Sequence, residues 1–303
     1  MAAPIPSQLS KLDICTPTAD WSLGQLAELA CVLEASAAKA GNVHPQHSFE
    51  DMTYVDFLNS AEALREAVER QVRRFGEISV GSVVYEIVVA RAQVCRVNTN
   101  LGIALLLAPL IVAATQTDGW RNRTLTIENW RIALGRVLDS LSPADSAATY
   151  RAIRICRPGG LGEVQTMDVQ AEPPEQLLDA MGEASCWDSI AAEYVQRFEK
   201  CFEIADWIRH EMVVERGWLE RIVHVQLQCL AAWPDSLIVR KTDPKTGERV
   251  RQMGQQVVEG LLSFREFDTF LKSKGNQLNP GTTADLIAGG LFIAVTRMAC
   301  EIC

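Results

Sequence analysis

The sequence predicts an all-α fold, a single globular multi-helix bundle of roughly ten or more helices, and three features carry that expectation. Apolar residues recur at three- and four-residue steps along most of the 303-residue chain. No alternating strand–turn–strand series appears. The polar islands between the apolar stretches hold Ser, Thr, Asp, Asn, Gly and Pro, which start and stop helices. With 48% hydrophobic residues, the chain has the apolar content of an ordinary globular core.

In chain order, residues 1–20 read as an N-terminal tail and 21–303 as one helical domain. Leu23, Leu26, Ala27, Ala30, Val32 and Leu33 mark a first helix, with Asp20 or Ser22 as its cap. Phe57, Leu58, Ala61, Leu64 and Val68 mark a second, whose far side carries Glu62, Arg65, Glu66, Glu69 and Arg70. Val83 to Val94 is rich in β-branched residues, yet its run into Ala90-Arg91-Ala92-Gln93 favours a buried helix. Further helices are expected near 98–116, 126–140, 144–156, 188–212, 216–232, 254–273 and 283–301. Two segments read as extended, Glu163 to Val169 and Leu237 to Val250. The second holds the turn signal Asp243-Pro244-Lys245-Thr246-Gly247, as a small hairpin or a loop. Residues 157–175, with Pro158, Gly159, Gly160, Gly162, Pro173 and Pro174, form the one long irregular connection, the kind that is often functional.

A net charge of −9 and a pI near 5.1 argue against a general nucleic-acid binder, whose footprint is basic. The longest apolar run, Leu101 to Ala114, is too short for a membrane span and contains Pro109, so it reads as a buried helix. The N-terminus lacks the basic-then-apolar order of a signal peptide. Nine scattered cysteines, mostly in apolar helical contexts, fit reduced thiols in a cytoplasmic protein.

The segment Leu278-Asn279-Pro280-Gly281-Thr282-Thr283-Ala284-Asp285 turns sharply into a strongly apolar helix, with Thr282 or Thr283 as its cap. A helix start presents unpaired N–H groups that suit an anion such as phosphate, and Asp285 stands one turn in, where a carboxylate can hold a metal ion. The ordinary alternative is a capped core helix. Four more polar islands interrupt the chain. At 34–45, a helix ends at Gly41 and Glu34 lies inward by periodicity, costly unless paired or ligating. At 47–57, Ser48 with Asp51 resembles a capping box, and His44 with His47 lacks a third metal ligand. Asn98-Thr99-Asn100-Leu101-Gly102 heads the apolar helix, and Pro234 to Lys241 places a carboxylate before two cations.

Taken in order, EASAAKAGNVHP, HSFEDMTYVDFLNSA, VNTNLGIALLLAPL, RPGGLGE, PDSLIVRK and LNPGTTADLIAGGLF resemble the motifs of the triphosphoribosyl-dephospho-CoA synthase family, over roughly residues 22–300. The resemblance implies an all-helical transferase that joins the ribose of ATP to a hydroxyl of dephospho-CoA and releases adenine. It implies Mg²⁺ on the triphosphate, and ATP with dephospho-CoA or a related small-molecule acceptor as partners. Neither nucleic acid nor membrane is expected, and a homodimer stays open. By the same resemblance Glu34, Lys39 and Asn42 match the first motif, Asp51 the second, Asn98, Thr99 and Gly102 the third, and Gly162 and Glu163 the fourth. Asp235 and Arg240 match the fifth, and Asn279, Gly281 and Asp285 the last.

The chemistry gives each a use. Displacing adenine builds positive charge on the sugar, so carboxylates near the anomeric carbon help, and another must take the hydroxyl proton. Glu34, Asp51 and Asp235 are the candidates for catalysis, and Asp51, Asp235 and Asp285 for the metal. Lys39, Asn42, Asn98, Thr99, Arg240, Asn279, Gly281 and Thr282 are the candidates for nucleotide binding, with Lys39 and Arg240 as the phosphate cations. The chain also departs from the family pattern. Where the synthases usually carry Lys-Pro-Gly it has Lys39-Ala40-Gly41, and where they carry Asn-Thr-His-Lys-Gly it has Asn98-Thr99-Asn100-Leu101-Gly102. Their His-Arg-Gly-Gly is Val239-Arg240-Lys241-Thr242 here, while Asn42-Val43-His44 resembles the branch found in methanogens and users of related one-carbon cofactors. The nucleotide half of the expectation is therefore firmer than the dephospho-CoA half. Two alternatives remain: a same-fold ATP-using enzyme with a pterin or furan acceptor or with phosphoryl transfer, and a non-catalytic helical binding protein.

Overall fold

A computed structural model describes residues 20–73, 78–122, 124–156, 166–211 and 217–301. The tail through residue 19, and the Gly162–Glu163 motif, lie outside them. The described residues form an all-α single domain. Helix α1 (Leu23–Ser36) opens on the expected cap, Ser22, which forms a reciprocal capping box with Gln25. Then come α2 (Tyr54–Arg73), α3 (Val80–Val94), α4 (Leu101–Thr115), α5 (Asp118–Arg121), α6 (Ile127–Asp139) and α7 (Pro143–Cys156). The second half holds α8 (Leu177–Ala184), α9 (Ser189–Val195), α10 (Glu199–Glu211), α11 (Trp218–Ala232), α12 (Ser236–Lys241), α13 (Pro244–Val258), α14 (Phe264–Lys272) and α15 (Gly281–Glu301).

Helices α4 and α15 are the two central rods. Both are apolar around most of their circumference and pack on each other, with α1, α10 and α11 also against α15 and α3 and α6 against α4. Length and apolarity alone would let α15 cross a membrane, but most of it is surrounded by the other helices, so its apolarity serves the core. Pro109 sits inside α4 and cannot donate the bond that Leu105 would accept. The freed carbonyl accepts instead from the buried Tyr194 hydroxyl at 2.7 Å. A smaller apolar cluster of Leu230, Ile238, Val250, Phe267, Leu271 and Leu278 joins α11–α14 and continues the wall behind the α12 end of the bundle.

Several boundaries differ from expectation. Residues 237–241 and 244–250 are helical: Asp243 caps α13 through its side chain and Pro244 occupies the first turn, where its missing N–H costs nothing. The expected helix over 188–212 is broken, because Arg197 and Phe198 adopt left-handed backbone between α9 and α10. Arg197 reaches Asp139 and the Gly135 carbonyl, and Phe198 is fully buried, so tertiary contacts hold that kink without glycine. The expected helix over 254–273 is also two, divided at Gly260 (φ +74°), with Ser263 and Glu266 boxing the start of α14. The capping box expected from Ser48 and Asp51 is built instead by Thr53 and Asp56 at the head of α2. No strand forms over Val80–Val94 or over the described residues 166–169.

Candidate active site

Four chain segments converge where α1, α4, α12 and α15 begin or end. After α1, the chain turns at Gly41 (φ +73°), where a Cβ would stand 2.7 Å from Leu271 Cβ. Glu34 on the last turn of α1 forms a buried ion pair with Lys39 at 2.8 Å, and Lys39 Nζ also donates to the Glu34 carbonyl. Lys39 is wholly buried and does not line the cavity described below. Its expected role as a phosphate cation is thus replaced by another: it neutralises and fixes Glu34. Breaking such a pair from one side costs roughly 3–5 kcal/mol.

Asn42 is likewise spent on the scaffold. Its Nδ2 donates to Asn279 Oδ1 at 2.7 Å, and its Oδ1 accepts from Gln226 Nε2 at 2.9 Å, joining the α1 turn to α11 and to the approach of α15. At the head of α4, Asn98 Oδ1 accepts the Leu101 N–H at 3.1 Å, and Thr99 bonds Ser60 at 2.6 Å. Gly102 follows. A Cβ there would overlap the Asp285 carboxylate, with Asp285 Cγ at 2.6 Å, so only glycine lets α15 bring that acid against the start of α4.

Asp235 has a role that its charge alone does not reveal. Its Oδ1 accepts the Leu237 and Ile238 N–H groups and caps α12. Its Oδ2 accepts the Thr283 N–H at 2.7 Å and the Thr283 hydroxyl at 2.8 Å, which caps α15 from another helix. The anion at the α15 N-terminus is therefore Asp235 itself rather than a phosphate, and neither Thr282 nor Thr283 caps that helix. Burial pushes the Asp235 carboxyl up while these donors pull it down. It lies behind the cavity wall with both oxygens engaged, so the expected base or metal-ligand role does not fit its position.

The other expected residues meet. Glu34, Asn42, Asp51, Asn98, Thr99, Arg240, Asn279, Gly281, Thr282 and Asp285 all line one cavity of about 1070 Å³. Arg240 ion-pairs Asp188, whose other oxygen caps α9 through the Ile190 and Ala191 N–H groups. Lys241 donates to Asn276 at 3.0 Å, and burial holds its ammonium below the usual lysine range. Asp188, Lys241 and Asn276 were not among the expected site residues. Asp188 reads in sequence as a helix start, and only the fold turns it toward Arg240. Beside α7 and α8 the cavity wall is mixed, with Tyr150, Met167, Met181 and Trp187 among Thr166, Asp168, Gln170 and Glu183. His44 and His47 pair through their backbones instead.

Burial first, then the negative charges of Glu34, Asp235 and Asp188, hold the Asp285 carboxyl well above the usual carboxylate range, against the pull of Arg240. Of the four cavity acids at this end, Glu34 is paired with Lys39 and Asp188 with Arg240, which leaves Asp51 and Asp285 outside any ion pair among the described residues. No three His, Cys, Asp or Glu side chains there gather into a complete cation cage. Asp51 and Asp285 are oxygen ligands of the kind Mg²⁺ takes in small number beside its waters.

A family model described as CitG, ATP:dephospho-CoA triphosphoribosyl transferase, matches residues 20–301. The chain belongs to this transferase family. No curated protein matches the sequence significantly. Among solved structures, the fold is similar to one from Archaeoglobus fulgidus that carries the name triphosphoribosyl-dephospho-CoA synthase. The TM-score is 0.57 and the identity 22%, over 80% of this chain and 98% of that one. At that identity the likeness concerns the fold. The transferase cavity runs from an acidic and cationic wall, where α1, α4, α12 and α15 meet, to a mixed wall beside α7 and α8.

Proposed function

We propose that the cavity binds ATP and an acceptor together and transfers the triphosphoribosyl group to an acceptor hydroxyl, with dephospho-CoA as the acceptor and adenine as the by-product. The observation that carries this reading is the meeting of Glu34, Asp51, Arg240 and Asp285, far apart in sequence, on one cavity large enough for two ligands. Arg240 and Lys241 face the triphosphate, and Asn279 and Thr282 fix the wall beside it. Asp51 and Asp285 are the residues that would hold Mg²⁺, which when bound neutralises phosphate charge.

The acceptor oxygen attacks C1′ of the ATP ribose, and the C1′–N9 bond breaks with its electron pair going to adenine. Glu34, held in place by Lys39, takes the proton of the acceptor hydroxyl as the C1′–O bond forms and passes it to solvent, from which the departing adenine takes one proton, so that the step balances. The aromatic rings of Tyr150 and Trp187 in the lining also suit a flat acceptor, so a pterin or furan cofactor precursor is the second reading.

Purified protein incubated with ATP, Mg²⁺ and dephospho-CoA should release free adenine in step with a heavier CoA product, and chelating the metal should stop it. Adenine release only with another hydroxyl acceptor moves the assignment to the second reading. ADP or AMP in place of adenine overturns ribosyl transfer.

A further inference from the structure

Helix α11 buries a stripe of Ile222, Val225, Gln226, Cys229, Leu230 and Ala231, in which one side chain carries an amide. Gln226 is fully buried, and an amide without partners is costly there, so its partners tell what it does. Its Oε1 accepts the Ala40 N–H at 2.8 Å, and its Nε2 donates to the Ala40 carbonyl at 2.8 Å and to Asn42 Oδ1 at 2.9 Å. All three bonds fall on the turn that follows α1. Gln226 itself lies outside the cavity lining.

A backbone N–H only donates and a carbonyl only accepts, so Ala40 fixes which end of the Gln226 amide is which. With its second Nε2 hydrogen on Asn42, that asparagine presents Oδ1 to α11 and donates from Nδ2 to Asn279 Oδ1 at 2.7 Å. Asn279 in turn donates from Nδ2 to Asn276 Oδ1 at 3.2 Å, and the same Oδ1 accepts from the Lys241 ammonium at 3.0 Å. Asn42, Asn279 and Asn276 thus form one series with a single donor direction, set at one end by Gln226 and required at the other by a cation that only donates. Asn42, Asn279, Asn276 and Lys241 all line the cavity.

We infer that Gln226 is a positioning residue for the nucleotide site: through Asn42 it orients the Asn279 and Asn276 amides, and through Asn276 it holds the Lys241 ammonium toward the phosphates. This role rests on the proposed binding of ATP at this wall and adds a residue that acts on the wall from behind. Gln226→Glu keeps the shape of the side chain but replaces its donor with an acceptor. The new oxygen meets the Ala40 carbonyl and Asn42 Oδ1. Each amide that turns over to relieve the clash passes it along the series, until a donor faces Lys241.

Calorimetric titration of the full chain with ATP and Mg²⁺, beside adenine release at saturating ATP, tests this. In Gln226→Glu the Kd for ATP should rise roughly tenfold to a hundredfold, while turnover per folded molecule at saturation stays within about threefold of wild type. Asn42→Ala cuts the series, so adding Gln226→Glu to it should weaken binding by no more than about threefold further. An unchanged Kd in Gln226→Glu overturns the assignment, as does a loss that adds in full to that of Asn42→Ala. Lower turnover with an unchanged Kd, which a merely structural role would give, overturns it too. If wild-type protein binds ATP without releasing adenine, ribosyl transfer falls and the binding constants still decide the role of Gln226. Absence of ATP binding by the wild type overturns both. If Gln226→Glu does not fold, Gln226→Met, of similar length and uncharged, takes its place with a rise of about tenfold expected in the same titration.

Discussion

Gly102 has no side chain, and that is what lets the Asp285 carboxylate stand against the first turn of α4. In the motif Asn98–Gly102 the glycine looks like an ordinary helix-start residue, because the clash it avoids comes from an acid 183 positions later in the chain. Gly102→Ala should leave the fold intact, since alanine favours a helix by about 1 kcal/mol over glycine. It should still displace Asp285. A misplacement of about 1 Å costs a hundredfold or so in rate, so adenine release should fall by about that factor while the thermal midpoint stays within a few degrees. An unchanged rate would show that Asp285 does not need its place. The same lesson covers Glu34 and Lys39. Periodicity placed Glu34 inward and the cost of burial demanded a partner, yet which lysine atom answered, and that it left none of its charge for phosphate, required coordinates.

At the scale of elements, Asp235 joins two helix starts with one carboxylate. Sequence reasoning found it as an acid within a family motif, and an acid so placed reads equally as ligand, base or cap. The choice was invisible because Thr283, its second client, lies 48 residues away. Asp235→Ala removes two caps at about 1–2 kcal/mol each, so unfolding stability should drop by roughly 2–4 kcal/mol, read by denaturant titration. Activity per folded molecule should fall less than for Asp285→Asn. Lost turnover with undiminished stability would return Asp235 to catalysis. The helices themselves were mostly legible, since α1–α4, α6, α7, α11 and α15 follow apolar periodicity. The misread elements were α12 and α13, where Asp243-Pro244 serves equally as a turn signal and as the first residues of a helix. The break between α9 and α10 had no local sign at all.

Over the whole molecule, burial sets the pH response of the fold. Glu193 on α9 is fully buried, with one oxygen accepting the Cys201 N–H at 2.9 Å and the other without a partner. Burial raises its carboxyl above the ordinary 4.5, against the pull of the Cys201 donors. The folded chain thus holds this proton more tightly than the unfolded one. Its contribution is complete below pH 4.5 and is lost as pH rises through the elevated folded value. Glu193→Gln should remove that decline, giving a flatter stability profile on the alkaline side of pH 4.5 in thermal melts. A variant with the wild-type slope would place the titration elsewhere.

One consequence of the shared carboxylate concerns distance. α12 has six residues, about 9 Å of helix at 1.5 Å each, with Arg240 near its far end. α15 sets out from the same anchor and carries Asp285 on its second turn. With both rods pinned at a common origin, the backbone span from Arg240 to Asp285 is fixed, and the Asp188 ion pair holds the guanidinium at its end. The pocket is in effect a ruler with its zero mark at Asp235, along which the α12 cation and the α15 acid are spaced.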